Sequence, residues 1–270
     1  MNKEIKKLVT VKKLEQPILI EIAEELFRRQ RGYVFRLPPK NSPVVVAFSG
    51  GADSICSTLI LLEDYGLQIY PYFIKRGARA EQYEEESVDY FAKYFCKKYP
   101  KLFHQPTKLV VPVPASEIKK DLPLKLRKGF GYPLRNTIIM SYGIQYAASL
   151  LTSRGIKART VFESIVSSDA DQTMHSTLTT LRFFNLHVCI DMGDWEWQTS
   201  SIAMETELGN YYDKDFLVKR ASEFNLPVHK TRSCIEASAT HCGICPSCID
   251  RIRIFKELGI NDQTIYNSNK

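Results

Sequence analysis

Hydrophobic residues along the chain alternate between stretches with the spacing of buried strands and stretches with the spacing of helices. Apolar and aromatic residues dominate Val44–Phe48 and Ile69–Ile74, as in strands that are covered on both faces. They recur at helical intervals in 17–29 and 137–151, which predicts helices that bury one face. The same patterns predict further strands at 109–113 and 160–166 and further helices at 55–65, 81–98, 216–224 and 246–258.

The order of these elements predicts the fold class. Strands that alternate with helices indicate βαβ units, so we expect an α/β protein with a doubly wound parallel sheet. The break at Leu37–Pro43 indicates a boundary before the first strand. We predict a basic helical N-terminal extension over 1–43, an α/β domain over 44–227, and a cysteine-rich C-terminal segment over 228–270.

Composition and charge narrow the functional classes. The chain has 270 residues, 44% of them hydrophobic, and no apolar run long enough for a membrane span. The N-terminus lacks the apolar core of a secretory signal, so we expect a cytoplasmic protein without membrane contact. Of a net charge of +7, much falls in 1–43, where ten Lys and Arg residues accompany five Glu residues. This segment is either an arm that attracts a protein or nucleic acid, or a helix with a solvated charged face.

The loop after the first strand reads Ser49-Gly50-Gly51-Ala52-Asp53-Ser54. Two glycines permit a sharp turn that brings backbone N–H groups close to a ligand. The following helix N-terminus carries about half a positive charge, which favours an anionic group such as pyrophosphate. The loop does not end in the lysine of the GxxxxGK[ST] motif, so it differs from that class of NTPase. The alternative is a plain turn in which Asp53 caps the helix.

Four of the seven cysteines lie within one short segment, at Cys234, Cys242, Cys245 and Cys248. Two CxxC steps at this spacing are typical of tetrahedral Zn²⁺ sites. Four thiolates leave no open coordination position, so we expect a structural zinc. The alternative, thiol–disulfide exchange, needs only one CxxC step.

Three motifs resemble one known family. The loop after VVVAF resembles the pyrophosphate loop (PP-loop) of the N-type ATP pyrophosphatases, in the adenine nucleotide alpha hydrolase superfamily. The run CGICPSCIDR at 242–251, preceded by SC at 233–234, is similar to that of the QueC-like 7-cyano-7-deazaguanine synthases, which also carry Pro-x-Arg-Asn where this chain has YPLRN at 132–136. The resemblance extends over 44–258, which identifies the chain as a divergent member with an N-terminal extension.

The resemblance implies an ATP site in the loop, with roles for further residues. It assigns Arg135 and Asn136 to the nucleotide or substrate pocket, Arg79 to the nucleotide, and Lys214 to the released pyrophosphate. The alternative is that Arg135 and Lys214 are solvated surface charges. We predict Asp53, Arg135 and Lys214 as catalytic residues and Ser49, Gly50, Gly51, Ala52, Asp53, Ser54, Arg79 and Asn136 as cofactor-binding residues. ATP, Mg²⁺ on its phosphates and the structural zinc are the expected cofactors.

The substrate region departs from the family pattern. The family's Gly-Tyr-Pro-Asp segment is not intact, and Asp169 and Asp171 lie near its position. These carboxylates either accept N–H bonds from a purine-like edge or cap the next helix. We assign Asp169, Asp171 and Arg251, the last residue of the cysteine motif, to the substrate.

The resemblance implies adenylation of 7-carboxy-7-deazaguanine, followed by transfer to an amine that gives the amide or the nitrile. Some members of the family occur in anti-phage defence systems. One alternative is that this chain is such a member and joins the deazaguanine to a protein or nucleic-acid amine, with the basic arm contacting the acceptor. Another is a zinc-containing nucleic-acid-binding module, which would not need the loop. A homodimer is compatible with each of these interpretations.

Overall fold

A parallel five-stranded sheet forms the centre of the protein. The computed structural model describes residues 3–122 and 132–267. Within them the strand order is β3-β2-β1-β4-β5, and every neighbouring pair is parallel. The predicted doubly wound α/β class is therefore confirmed. The strands are β1 (Pro43–Ala47), β2 (Gln68–Lys75), β3 (Thr107–Val110), β4 (Thr160–Glu163) and β5 (Gln198–Ser201).

Helices connect and cover these strands. Helix α4 begins and ends at the predicted residues, and the other predicted helices differ from the observed ones by up to three residues at either end. No helix in the described ranges is long and apolar enough to span a bilayer. The helices are α1 (Lys3–Thr10), α2 (Pro17–Arg31), α3 (Ala52–Glu63), α4 (Glu81–Lys98), α5 (Ser116–Lys119), α6 (Arg135–Arg154), α7 (Leu178–Asp191), α8 (Lys214–Glu223) and α9 (Pro246–Glu257).

Both faces of the sheet are buried, because successive strand residues point to opposite sides. Val44 and Val46 of β1 pack into a core shared with α3, α4, α8 and α9. Val45 points the other way, into a core shared with α2, α6 and α7. This two-sided burial explains why the central strands consist almost entirely of apolar residues.

The chain reverses its direction of travel across the sheet next to β1. From β1 it moves through β2 to β3, and then returns to place β4 on the other side of β1. In open parallel sheets, ligands bind outside the carboxyl ends of the strands at such a switch point. The loop after β1 and the segment after β4 therefore border the expected binding crevice.

The N-terminal extension packs against the sheet domain. Ala23 and Phe27 of α2 are fully buried in the same core as Val45. Ile5 of α1 and Ile20 of α2 join another buried cluster with residues of α7. The buried guanidinium of Arg182 in α7 lies at this contact and donates two hydrogen bonds, of 2.8 and 2.9 Å, to Glu205 of the sheet domain. The same guanidinium lies 3.4 Å from Glu24 of α2.

Some elements were not predicted from the sequence. Strand β5 consists of Gln, Thr and Ser residues, all of them buried, so it has no apolar pattern. The polar side chain of Gln198 can be buried because its amide is hydrogen-bonded to the backbone of Arg36. Its Oε1 accepts from the N–H of Arg36 at 2.7 Å, and its Nε2 donates to the carbonyl oxygen of Arg36 at 2.8 Å. Helices α1 and α7 were also missed, and β3 begins and ends earlier than predicted. The predicted β3 residues 111–113 follow the strand.

Candidate active site

The loop between β1 and α3 is held in shape by its own serines. Ser54 Oγ donates to the carbonyl oxygen of Ala47 at 3.1 Å and accepts from the N–H of Ser49 at 2.9 Å. The N–H of Gly51 points to Ser49 Oγ at 3.4 Å. Helix α3 begins at Ala52. Its first N–H groups lack intrahelical partners, so they are suited to bind an anion.

Position 50 requires a glycine, because of both its backbone conformation and the atoms packed around it. Its φ of +77° lies in the left-handed region, and a Cβ atom there would sit 2.6 Å from the carbonyl oxygen of Glu84. Its own carbonyl oxygen accepts hydrogen bonds from Ser87 Oγ and from the N–H of Arg232, both at 2.8 Å. The loop is thus fixed from α4 on one side and from the segment before the cysteines on the other.

A cleft of about 170 Å³ opens beside this loop. Its walls come from the loop, from α8, and from the cysteine-bearing segment with α9. Two arginines, one lysine and two carboxylates line it, which gives it a mixed but strongly charged surface. These side chains belong to Asp53, Lys214, Arg232, Asp250 and Arg251.

Asp53 and Lys214 form an ion pair at the mouth of the loop. The Lys214 ammonium lies 3.4 Å from Asp53 and 3.6 Å from Asp250. The Asp53 carboxylate raises the pKa of Lys214, so the lysine stays charged. Burial raises the pKa of Asp53, and Lys214 opposes this change without cancelling it. The pair therefore brings a cation and a carboxylate to the N-terminus of α3.

Two more carboxyl groups lie at and just beyond the carboxyl end of β4. Glu163 is the last residue of that strand, and burial raises its pKa to about 8. Burial, reinforced by the charge of Asp53, raises the pKa of Asp169 to about 6. The charge of Arg135 opposes the rise in the pKa of Glu163, and the charge of Lys214 opposes the rise in the pKa of Asp169. Such shifted carboxyl groups in a crevice are typical of functional sites.

Arg135 and Asn136 open helix α6 beside these carboxyl groups. Asn136 is buried, and its amide donates to Ser176 Oγ at 3.0 Å and to the carbonyl oxygen of His175 at 3.3 Å. Burial, assisted by Arg135, lowers the pKa of His175 to about 4, so the imidazole is neutral at pH 7. Its Nε2 is buried without a hydrogen-bond partner among the described residues.

A second, wider cleft of about 650 Å³ adjoins Arg135. It is strongly basic, since Arg76, Arg79 and Lys119 also line it. Glu84 neutralises Arg76 through hydrogen bonds of 2.8 and 3.0 Å. The described edge of this cleft includes Tyr132 and Arg135, which follow a stretch of chain outside the described residues.

Two of the predicted site residues, Arg79 and Asp171, are paired with other residues of the protein. Arg79 pairs with Glu236 at 3.1 Å. Asp171 accepts hydrogen bonds from Lys12 Nζ at 2.8 Å and from the N–H of Lys13 at 3.0 Å. Burial would raise the pKa of Asp171, but these two bonds lower it. Their assignment to nucleotide and substrate stays a prediction.

Arg251 is buried and connects the cysteine segment to the loop. Its guanidinium donates to the carbonyl oxygen of Val228 at 2.7 Å, to Thr231 Oγ1 at 2.9 Å and to Ser233 Oγ at 3.1 Å. This fixes the backbone on both sides of Arg232, whose N–H binds Gly50. Arg251 also lines the smaller cleft, so it has both a structural position and access to a ligand.

The four predicted metal-binding cysteines lie together at the start of α9. Their Sγ atoms all lie within 4.8 Å of one another, and those of Cys242 and Cys248 are 4.0 Å apart. A zinc ion with Zn–S bonds of about 2.3 Å needs thiolates about 3.8 Å apart. The N–H groups of Cys242 and Cys245 point to Sγ of Cys234 and Cys242, both at 3.3 Å. The set therefore fits one tetrahedral ion.

Sequence analysis missed several residues of this site. Glu163 and His175 belong to no recognised motif, and only the sheet topology brings them to the crevice. The one available signal for Glu163 was its position within the predicted strand 160–166, as a carboxylate among apolar residues. Arg76 directly follows β2, and this position was its signal.

Comparisons with known proteins give a consistent result. A model of the family described as queuosine biosynthesis protein QueC matches residues 43–259. The 7-cyano-7-deazaguanine synthase of Acetivibrio thermocellus is 29% identical over 231 residues, which cover 82% of this chain and 96% of that protein. The corresponding synthase of Nautilia profundicola is 26% identical, covering 82% of this chain and 97% of that protein. Among solved structures, a 4-thiouridine synthetase–RNA complex with bound ATP has 16% identity and a TM-score of 0.43, over 81% of this chain and 51% of that one.

Proposed function

Because the chain belongs to the QueC family of queuosine biosynthesis proteins, we propose that it adenylates the carboxylate of 7-carboxy-7-deazaguanine and transfers the acyl group to an amine. Two relatives carry the name 7-cyano-7-deazaguanine synthase. They are 29% and 26% identical to this chain, and the matched residues cover 96% and 97% of their own length. The product is then the amide or, after a second round, the nitrile.

The observation that carries the proposal is the meeting of two sets of residues at the switch point. The loop after β1 presents helix N–H groups next to Lys214, which suits the pyrophosphate part of ATP. The segment after β4 presents Asp169 close enough to Asp53 for their charges to interact. A substrate carboxylate held between these sets lies next to the alpha phosphate of a bound ATP.

Each residue has a role in this arrangement. The loop and Lys214 stabilise the negative charge that builds up on the departing pyrophosphate. Asp53 is the carboxylate that would share Mg²⁺ with the phosphates, and the ion would neutralise part of their charge. Arg135 would bind the substrate carboxylate, since a guanidinium forms two parallel hydrogen bonds to such a group. Asp169, whose pKa is about 6, is suited to accept a proton from the attacking amine.

The chemistry follows from these roles. A carboxylate oxygen attacks the alpha phosphorus, and the bond to the bridging oxygen breaks as pyrophosphate leaves. The amine attacks the acyl carbon and loses a proton, and AMP leaves with the former carboxylate oxygen. With ammonia the product is an amide. Adenylation of the amide oxygen, followed by loss of AMP and two protons in total, gives the nitrile.

A second candidate keeps the adenylation and changes the acceptor to a protein amine. The observation that favours it is an apolar face on α2, where Ile18, Ile22 and Leu26 are exposed in a segment outside the family match. A protein docked there would be close to the sheet domain. Intact mass measurement separates the candidates, because conjugation adds the deazaguanine to a protein while the first candidate forms a small product.

A screen for pyrophosphate release tests the proposal. The full chain is incubated with ATP, Mg²⁺ and ammonium, and with each of a set of deazapurine carboxylates. We expect release that depends on a 7-deazaguanine carboxylate. If no carboxylate stimulates release while nucleic acid binds tightly, the zinc-containing nucleic-acid-binding module becomes the better interpretation.

A further inference from the structure

Five consecutive residues of the N-terminal extension contact the segment that follows β4. Residues 12–16 connect α1 to α2 and lie outside the family match. Lys12 and Lys13 bind the carboxylate of Asp171, as described above. The N–H of Leu14 donates to the carbonyl oxygen of Ala170 at 3.1 Å, and the N–H of Gln16 donates to Thr179 Oγ1 at 2.9 Å. The contact therefore uses both backbone and side chains.

Glu15 is the central residue of this contact. It is buried, and one of its oxygens accepts from the N–H of Leu178 at 2.7 Å and from the Tyr211 hydroxyl at 3.2 Å. The other accepts from the N–H and the hydroxyl of Thr179 at 3.0 and 2.7 Å. A carboxylate at the first turn of a helix is stabilised by the helix dipole. Glu15 thus fixes the start of α7 from another part of the chain.

The segment held in this way carries the substrate side of the candidate site. Asp169 precedes the residues bound by Lys12 and Leu14, and its carboxylate accepts from the N–H of Val166 at 3.2 Å. His175 and Ser176 lie between the two contact points and bind Asn136. Both ends of the stretch from Asp169 to Thr179 are therefore fixed by the extension.

We propose that residues 12–16 are a positioning element for the substrate, which sets the place of Asp169 and His175 relative to Arg135. This inference rests on the proposed function. The nucleotide side of the site is fixed differently, through Ser87 and Arg232 on Gly50. A change in residues 12–16 consequently affects the substrate and leaves ATP binding in place. A displacement of about 1 Å is enough to lower the rate of a positioned reaction strongly.

The test measures KM for each substrate separately in the full-length protein. Lys12→Met removes one charged hydrogen bond to Asp171, and Glu15→Gln removes the buried charge at α7. We expect KM for the carboxylate substrate to rise about tenfold while KM for ATP changes less than about twofold. Lys12→Arg is expected to restore the wild-type KM. Lys6→Met is the matched control, since Lys6 pairs with Glu21 on the surface of the same extension.

Amide hydrogen exchange provides a readout that does not depend on the reaction. Residues 168–179 are expected to exchange about tenfold faster in Glu15→Gln, the factor that corresponds to one lost buried charge-assisted hydrogen bond. Residues 49–54 are expected to keep their rate. Unchanged exchange in 168–179, or equal increases in KM for ATP and for the carboxylate, would overturn the positioning role. If the wild-type protein uses no deazapurine carboxylate, the proposed function fails. The exchange rates alone then show whether residues 12–16 hold residues 168–179 in place.

Discussion

Asp53 lies where the loop after β1 becomes α3, with its carboxylate 3.4 Å from the Lys214 ammonium. A carboxylate in a phosphate-binding loop acts by holding Mg²⁺ or by orienting the cation beside it. We expect Asp53→Asn to lower AMP formation by about 100-fold, as for the loss of one group that stabilises transition-state charge. Chromatography of the nucleotide products measures this effect.

The control for Asp53 comes from the other end of the same helix. Asp64 follows α3 and pairs with Arg220, away from the loop. Asp64→Asn is expected to keep AMP formation within about twofold of wild type, because surface ion pairs contribute little. If the Asp53 variant retained full activity with an intact fold, the loop would not be the nucleotide site.

Glu163 predicts a pH dependence of stability. Burial raises its pKa to about 8 from the ordinary 4.5, so the folded state favours the protonated form. The folded protein therefore loses stability as the pH rises from 4.5 towards 8, by up to about 1.4 kcal/mol per pH unit. Glu163→Gln is expected to remove this loss. Denaturant unfolding of both proteins at pH 5 and 8.5 checks it, and an equal difference at the two pH values would contradict the assignment.

Residues in short motifs were predictable, whereas residues brought together by topology were not. The serines and glycines of the loop and the four cysteines have a defined spacing, so their chemistry can be inferred from the sequence. Glu163 and His175 belong to segments without such spacing. They reach the same crevice because β4 pairs with β1, which only the sheet order reveals.

At the scale of elements, α2 is part of the sheet domain's core. Phe27 is fully buried beside Val45, whereas Ile22 on the same helix is 49% exposed. We expect Phe27→Ala to reduce the free energy of unfolding by about 3–5 kcal/mol, because it leaves a cavity. Ile22→Ala is the matched control and is expected to change it by less than about 0.5 kcal/mol. Similar effects in the two variants would mean that α2 is not packed as described.

The cysteine-bearing element predicts a coupling between metal and nucleotide site. A structural zinc contributes on the order of 10 kcal/mol to folding, so Cys245→Ser or a chelator should unfold the segment around it. Because Arg251 and Arg232 connect this segment to Gly50, ATP binding is expected to weaken at the same time. Metal analysis and calorimetric ATP titration measure the two effects.

Cys96→Ser is the control for the metal experiment, since Cys96 lies in α4 outside the cysteine cluster. It should keep one zinc per chain and normal ATP affinity. Absence of zinc from the wild-type protein would contradict the metal site. Zinc loss without any change in ATP affinity would contradict the coupling between the metal site and the nucleotide site.

Elements that bury apolar faces were predictable from the sequence, whereas elements that bury polar side chains were not. Central strands and amphipathic helices were predicted because burial on one or two faces leaves a periodic pattern. Strand β5 is buried through hydrogen bonds of polar side chains, and α7 includes a buried arginine that Glu205 neutralises. Tertiary partners distant in sequence satisfy these polar groups, so the local sequence does not indicate their burial.

For the whole molecule, three parts of the chain meet at one crevice. The loop after β1 and the segment after β4 border it, and we propose that the first binds the phosphates and the second the substrate. The N-terminal extension fixes the segment after β4 from outside the family match. We propose that this crevice joins a carboxylate to the alpha phosphate of ATP.

Transfer of an oxygen isotope tests that claim most directly. The deazaguanine carboxylate is labelled with ¹⁸O and incubated with ATP, Mg²⁺ and ammonium, and the AMP is analysed by mass spectrometry. Acyl adenylation predicts AMP that carries one ¹⁸O atom from the carboxylate, together with unlabelled pyrophosphate. ADP as the main product, or AMP whose added oxygen comes from water, would contradict the account.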